Sequence, residues 1–431
     1  MRKNKSALLN GWGRYPVIDS VALRDRYQAW LDPFIPAGNH RSYGDAALAP
    51  VHLPMRRHSR FIAFDEQAGL LTCEAGVLLS EIIDVFLPRG WFLAITPGTK
   101  LITVGGAVAS DVHGKNHHIQ GCFSECVESF ELLLPNNQSK TCSRTENGDL
   151  FHATCGGMGL TGIITQVSFF LKRVSSQWIE QTTIKTANLK QSFEAFEQYK
   201  DSPYSVAWID CLAKDDSLGR SLLMVGDFAQ DGDLDYQPKN NLTIPLDFPT
   251  VALNSLSVKV FNALYYGKAK KGESQQRVGI DSFFYPLDTL NHWNRIYGKN
   301  GFVQFQFILP KAVSFDGLEA ILKRISQSGM GSFLAVLKLY GRENQNWLSF
   351  PMEGYSLALD FKMQLGLVDF IHELTDQVVE LGGRVYLAKD ALLTREQFEQ
   401  SYPKVEQFRK LRKDMGLDAH FQSLLSQRLG L

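Results

Sequence analysis

The sequence predicts an α+β fold built in two units, and three observations carry that prediction. Residues 60–175 alternate strand-like and helix-like segments punctuated by glycine. After Lys172 the glycines thin out, and apolar strands recur with helical stretches between them, the pattern of an antiparallel sheet with flanking helices. The chain has 431 residues, 44% of them hydrophobic, which suffices for two or three domains of about 150 residues with their own cores.

In the first unit, Phe61–Phe64 and Leu70–Cys73 flank a turn that ends in Gly69, which predicts a β-hairpin. Leu78, Ile82 and Val85 recur at helical spacing between Val77 and Leu87, and Pro88 follows as a stop. Phe130–Leu134 runs into the turn Pro135-Asn136-Asn137. Ile163, Val167, Phe169 and Leu171 alternate with Gln166 and Ser168, as in a half-buried strand. In the second unit strands are expected at Val206–Asp210, Leu222–Val225, Phe302–Leu309, Phe333–Leu339 and Tyr355–Phe361. Helices are expected at 316–328 and 367–381. Residues 229–275 mix Asp, Gly, Asn and Pro with the apolar run Val251–Tyr266 and with Lys268, Lys270 and Lys271. A connection of that length is expected to be a lid, a binding loop or disordered. Tyr386–Leu431 reads as helical, with Val405, Phe408 and Leu411 on one face.

Charge and cysteines bound the function. Lys and Arg number 45 and so do Asp and Glu, so the global basic signature of a nucleic-acid binder is absent and no nucleic-acid partner is expected. The six cysteines at 73, 122, 126, 142, 155 and 211 form no C-x-x-C pair. In a chain this long they read as reduced, buried thiols of a cytoplasmic protein. The N-terminal Met1–Asn10 lacks the apolar core of a leader, and no stretch approaches the roughly 18 uncharged apolar residues of a spanning helix.

Three glycine-bearing segments carry the chemistry. In Pro36–Asp45, Gly38 and Gly44 permit positive φ, so successive amides can converge on an anion, and Arg41 and Ser42 add donors suited to a pyrophosphate. A surface turn fits that segment equally well taken alone. In Thr96–Thr99 and Val104–His118, Gly105, Gly106, Ala107, Ala109 and Ser110 leave a surface with almost no side-chain bulk. A flat cofactor fits against it, and a helix starting near Gly105 would aim free amides at an anion. His113 and His117 are four apart, but Gly114 interrupts the helix that zinc ligation would need, so no metal is expected. In Cys155–Thr165, Gly157, Gly159 and Gly162 spell G-x-G-x-x-G, yet a strand-like run follows where a Rossmann helix should begin. The literal match is read as a decoy for a Rossmann site, with a glycine-rich turn packed against the adenine half of a dinucleotide as the alternative.

Together these segments resemble the vanillyl-alcohol oxidase/p-cresol methylhydroxylase family of FAD enzymes, and within it the branch that oxidises decaprenylphosphoryl ribose. The residues that carry the resemblance are Arg41–Asp45, Thr96–Thr99, Val104–Ala107, Asp111–His118, Gly159–Ile164, Gln304–Gln306, Lys338–Leu339, Phe350–Pro351 and Ala388–Asp390. The resemblance implies an FAD-binding domain of two α+β subdomains at 1–172, a substrate domain with a central antiparallel sheet at 173–385, and a return to the FAD domain at 386–431. It implies FAD contacts at Gly38, Asn39, His40, Arg41, Ser42 and Tyr43. Further contacts are implied at Gly98, Thr99, Gly105, Gly106, Ala109 and Ser110, then at His113, Gly114, Asn116, Gly159, Gly162, Ile164 and Lys389. Tyr43, Lys115, Gln304, Gln306 and Lys338 are implied as substrate contacts, and Lys389 and His113 as catalytic residues.

Two departures matter. Many relatives tether the flavin through a histidine where Arg41 stands, so FAD is expected to be held non-covalently. The cysteine that some relatives place in the sugar pocket corresponds to Ala358. The implied reaction oxidises a secondary sugar hydroxyl by hydride transfer to the flavin, on a polyprenyl-phosphoryl pentose used in cell-wall polysaccharide synthesis, with a short-chain reductase as partner. Lys389 is the expected cavity cation, and either neutral lysine or His113 the proton acceptor. Residues 251–271 are expected to contact the inner face of a membrane. An alditol or aldonolactone oxidase acting on a soluble polyol, or a non-catalytic flavin-binding protein, are the alternatives.

Overall fold

The predicted hairpin forms in the computed structural model, which describes residues 6–24, 30, 32–238, 242–249 and 253–431. Strand Phe61–Asp65 pairs antiparallel with Leu70–Glu74, and Gly69 takes φ +71° between them. This hairpin extends through the long strand Ile163–Arg173 to Val127–Leu133 and Ser139–Cys142, while Trp91–Leu93 pairs with the far end of the long strand. The helix read from Leu78, Ile82 and Val85 spans Leu79–Phe86 and buries Leu79, Ile82, Ile83 and Phe86 against this sheet's core. A separate four-stranded sheet, which the periodicity did not reveal, orders Ser6–Asn10, Val17–Ala22, Val51–Pro54 and Ile35–Ala37.

The second unit is an eight-stranded antiparallel sheet. Its order is Glu273–Gly279, Trp178–Thr186, Ser221–Phe228, Tyr204–Ile209, Ala335–Tyr340, Gly354–Lys362, Phe302–Pro310 and Arg384–Val385. Side chains alternate across a strand, and directly opposed residues share a face. Phe305 opposes Leu359, Phe307 opposes Leu357, and Leu357 opposes Leu337, so these five point to one side. There the helices Ser314–Ser328 and Leu367–Glu380 close a core with Ile321, Leu322 and Leu374. The same register turns Gln304, Gln306, Val336, Lys338, Ala358 and Asp360 to the opposite side. A sheet covered by helices on one face thus presents a polar strip on the other.

Two expectations need correction. Residues 229–275 are not one long loop: they contain the strand Leu242–Thr243, the helix Ser255–Lys268 and the start of the edge strand Glu273–Gly279. The helix starts on a side-chain cap, Asn254 accepting from the amides of Leu256 and Ser257. Residues 239–241 and 250–252 of that segment, Val251 included, lie outside the described residues. The C-terminal stretch is not continuously helical. It forms Arg395–Ser401, Val405–Asp414 and Leu424–Leu429, after an irregular stretch from 386 to 394. It runs back over the first unit: the Phe34 amide donates to the His420 carbonyl, the Leu424 amide to Leu48, and Arg412 Nε to Leu160. All six cysteines are unpaired and buried.

Candidate active site

The polar strip of the eight-stranded sheet faces the glycine segments of the first unit across a cavity of about 380 Å³, a volume ordinary for a small-molecule or cofactor site. Three segments distant in sequence form one wall.

The first is the turn after Ile35–Ala37. The expected left-handed glycines are not the ones that turn the chain: the positive φ belongs to His40, at +48°. Gly38 and Gly44 are small for a different reason. A Cβ at Gly38 would collide with the Thr103 hydroxyl, and one at Gly44 with the Asp390 carbonyl. Among the described residues, the amides of Asn39, His40, Arg41 and Ser42 are engaged by no backbone carbonyl. Arg41 lies over the Trp12 ring, 4.0 Å from its centroid, and its Nε is buried without a partner, as is His40 Nδ1. Ser42 Oγ donates to the Ala388 carbonyl at 2.8 Å, tying this turn to the segment that carries Lys389.

The second segment corrects another expectation. A helix does start where the small residues cluster, Val104–Ala109, but its first amides are not free. Val104 N–H donates to Val77, Gly105 N–H to Ala75, and Gly106 N–H to Thr103 Oγ1. This helix supplies a flat wall rather than an anion cradle. Gly105, Gly106, Ala109 and Ser110 line the cavity, and a Cβ on Gly98 would meet nothing within 4 Å. Thr99 also lines the cavity, and its hydroxyl donates to Asp288 at 2.8 Å. The third segment adds Gly159, Gly162 and Ile164 to the wall. The strand Ile163–Arg173 follows at once, so the G-x-G-x-x-G match is a decoy.

Of the residues expected at the site, Asn116 does not line the cavity. Its buried amide donates to the Ala94 carbonyl and to Gln120 Oε1, both at under 3 Å, which makes it a loop tie. The others line it. Several lining residues were not anticipated, among them Trp12, Trp208, Tyr265 and Asp288. Asp360 was also missed, although strand alternation from Gln304 and Ala358 points to it.

The electrostatics of the pocket are dominated by half-buried cations. Burial pulls the Lys115 ammonium down to about 7, helped by Lys338, and pulls Lys338 to about 8. Lys115 Nζ donates to the Phe283 carbonyl. Lys389 Nζ lies 3.5 Å from the centroid of the Tyr43 ring. Burial lowers its pKa, and the nearby Asp360 works against that fall. Asp360 is itself raised by burial, while a 2.5 Å hydrogen bond from Gln304 Nε2 and one of 3.3 Å from the Tyr297 hydroxyl support its charge. His113 is buried among Tyr340, Phe350 and Tyr386, and burial holds its pKa well below 6.5. Its Nε2 faces the Gln306 amide nitrogen at 3.1 Å, while Nδ1 has no partner. With the amide so oriented, Nε2 accepts and Nδ1 carries the proton. His113 then accepts a further proton only if Gln306 turns its amide.

These residues fit FAD. Four free amides beside an unpartnered Arg41 suit a pyrophosphate, and the glycine-alanine wall admits a flat ring system. Among the described residues no three His, Cys, Asp or Glu side chains cluster as metal ligands.

Comparison with known proteins agrees with this geometry. Residues 28–143 match the FAD binding domain family. The chain is 35% identical to decaprenylphosphoryl-β-D-ribose oxidase of Mycolicibacterium smegmatis, over 98% of this chain and 97% of that protein. It is also similar to bovine L-gulonolactone oxidase, 26% identical over 39% of this chain and 37% of the relative. With D-lactate dehydrogenase of Anaerostipes hadrus it shares 27% identity over 27% of this chain and 26% of the relative.

Proposed function

Because this chain belongs to the vanillyl-alcohol oxidase type of FAD-dependent oxidoreductases, we propose that it oxidises a secondary hydroxyl of a sugar carried on a polyprenyl phosphate, yielding a keto sugar. The observation that carries this reading is the polar strip of the sheet. Gln304, Gln306 and Lys338 share one face opposite the glycine wall, with Lys389 beside them. Amide groups that both donate and accept suit sugar hydroxyls, and clustered ammonium groups suit a phosphate.

FAD, when bound, supplies the acceptor for the hydride leaving the carbinol carbon. Residues 39–42 hold its pyrophosphate, and with arginine at position 41 it is held without a covalent tether. The chain's own task is to orient the sugar and move a proton. Gln304 and Gln306 orient the hydroxyls. Lys389, its pKa lowered by burial, has a neutral fraction near neutral pH and takes the hydroxyl proton. His113, kept neutral by burial, holds Gln306 in place. Tyr43, under the Lys389 ammonium, limits where that group can swing.

A lipid-linked substrate brings the protein to a membrane as a peripheral protein, since among the described residues no helix is long and apolar enough to cross one. A short-chain reductase that consumes the keto sugar is the expected partner. The test is the visible spectrum of the purified protein mixed without oxygen with a polyprenyl-phosphoryl pentose or with soluble alditols and aldonolactones. Bleaching by the lipid-linked sugar supports the reading. Bleaching by the soluble polyols alone makes this a polyol oxidase, and no bleaching by either overturns the assignment. Acid precipitation should leave the yellow colour in the supernatant; colour in the pellet refutes non-covalent binding.

A further inference from the structure

The helix Ser255–Lys268 is built inside out. Its buried positions are Val258 and the polar Asn262, whose Nδ2 donates to Asp210 Oδ1 at 2.7 Å. Tyr266, one helical turn on, donates its hydroxyl to the Thr186 carbonyl. Hydrogen bonds therefore anchor the inner side. The outer side is apolar: Leu256 is 72% exposed, Val260 51% and Leu264 63%, at i, i+4 and i+8, with Phe261 beside them. In a protein that meets only water this arrangement should be reversed.

Two further observations say what covers it. Lys259, Lys268, Lys270 and Lys271 are exposed, and among the described residues none of them is in an ion pair. An apolar stripe bordered by unpaired lysines complements a surface that is greasy beneath and anionic on top. The stripe is also continuous with the cavity. Trp208 and Tyr265 line the cavity with ring centroids 4.9 Å apart, and Tyr265 stacks on Phe261 of the outer face at 5.9 Å.

We infer that Ser255–Lys268 is a membrane-docking helix that beds its Leu256–Val260–Leu264 face into an anionic lipid surface and sets the cavity mouth against it. At 1.5 Å per residue the helix offers an edge of about 21 Å lying in the plane of the interface. A substrate anchored in the bilayer by an apolar tail then reaches the cavity past Tyr265 and Trp208 without leaving the lipid entirely. This use of the surface rests on the lipid-linked reading; the docking itself does not.

The test is flotation of the FAD-loaded protein with vesicles of neutral phosphatidylcholine, or of phosphatidylcholine with one third phosphatidylglycerol. Wild type should float with the anionic vesicles and stay behind with the neutral ones. Leu256→Asp and Leu264→Asp, both at exposed positions and checked for an unchanged flavin spectrum, should each lower the bound fraction about tenfold. Replacing the four lysines by glutamine should abolish the preference for anionic vesicles. Failure of wild type to float, or flotation unchanged in the aspartate variants, overturns the inference. A dimer in solution that Leu264→Asp dissociates, with no flotation, assigns the face to a second copy and overturns it as well. If the protein floats but no lipid-linked sugar bleaches the flavin, the docking helix stands and the proposed reaction falls. If bleaching occurs in detergent without flotation, the reverse holds.

Discussion

Arg428 is the keystone between the two segments that flank the cavity, and its removal gives a prediction with a definite size. Its guanidinium donates to Asp45 through Nε at 3.0 Å and Nη2 at 2.8 Å, and to Asp390 Oδ2 at 2.8 Å. Asp45 closes the turn that carries Arg41 and Tyr43, and Asp390 follows Lys389. The side chains of the two acids are 5% and 4% exposed, and that of Arg428 is 23%. Arg428→Ala leaves two buried carboxylates facing each other unpaired, a loss of about 3–5 kcal/mol. Unfolding entropy near 2.1 cal/mol/K per residue makes that a fall in melting temperature of about 3–5 °C for a chain of this length.

The sign of the pH dependence follows from Asp45. Burial raises its pKa, which Arg428 opposes, so the variant's Asp45 rises further. A carboxyl whose folded pKa is raised binds its proton more readily in the native state, so its contribution to stability is lost as pH rises. The deficit of Arg428→Ala should therefore be larger at about pH 8 than at about pH 5. Flavin fluorescence during a thermal ramp, at saturating FAD, reads it. A variant that melts with wild type at both pH values would refute the reasoning.

Three other outcomes are expected. Lys389→Ala should keep its flavin and reduce it with substrate about 100- to 1,000-fold more slowly; stopped-flow reduction at the wild-type rate would remove Lys389 from the mechanism. Asp360→Asn removes the charge that opposes the burial-lowered pKa of Lys389, so the limb of the pH–rate profile that reports this lysine should move to lower pH, and an unmoved profile would break the link. Gly44→Ala drives a methyl group into the Asp390 carbonyl, so the purified variant should carry well under half the flavin of wild type; a full flavin-to-protein ratio would show that the turn can shift.

The residues that read clearly in the sequence were those with a local physical signature. Gly69 declared the first hairpin, the spacing of Leu78, Ile82 and Val85 declared a helix, and the alternation of Ile163, Val167, Phe169 and Leu171 with Gln166 and Ser168 declared a half-buried strand. The helix Ser255–Lys268 was misread because its exposed face carries the apolar residues. The early strands at 6–54 were missed because each is only three to six residues long, too short to show an alternating pattern.

Composition and local pattern determined the α+β class, the flat small-residue wall and the set of lysines, glutamines and histidines available for chemistry. Tertiary structure decided which of them meet. It freed the amides of residues 39–42 while tying up those at the start of Val104–Ala109, and turned Asn116 into a loop tie. It also set Asp360 near Lys389, a residue 29 positions further along the chain in a different segment. The reason is physical. Hydrogen-bond satisfaction and burial are properties of the assembled surroundings, and a side chain's charge state follows from what is packed against it rather than from its neighbours in sequence.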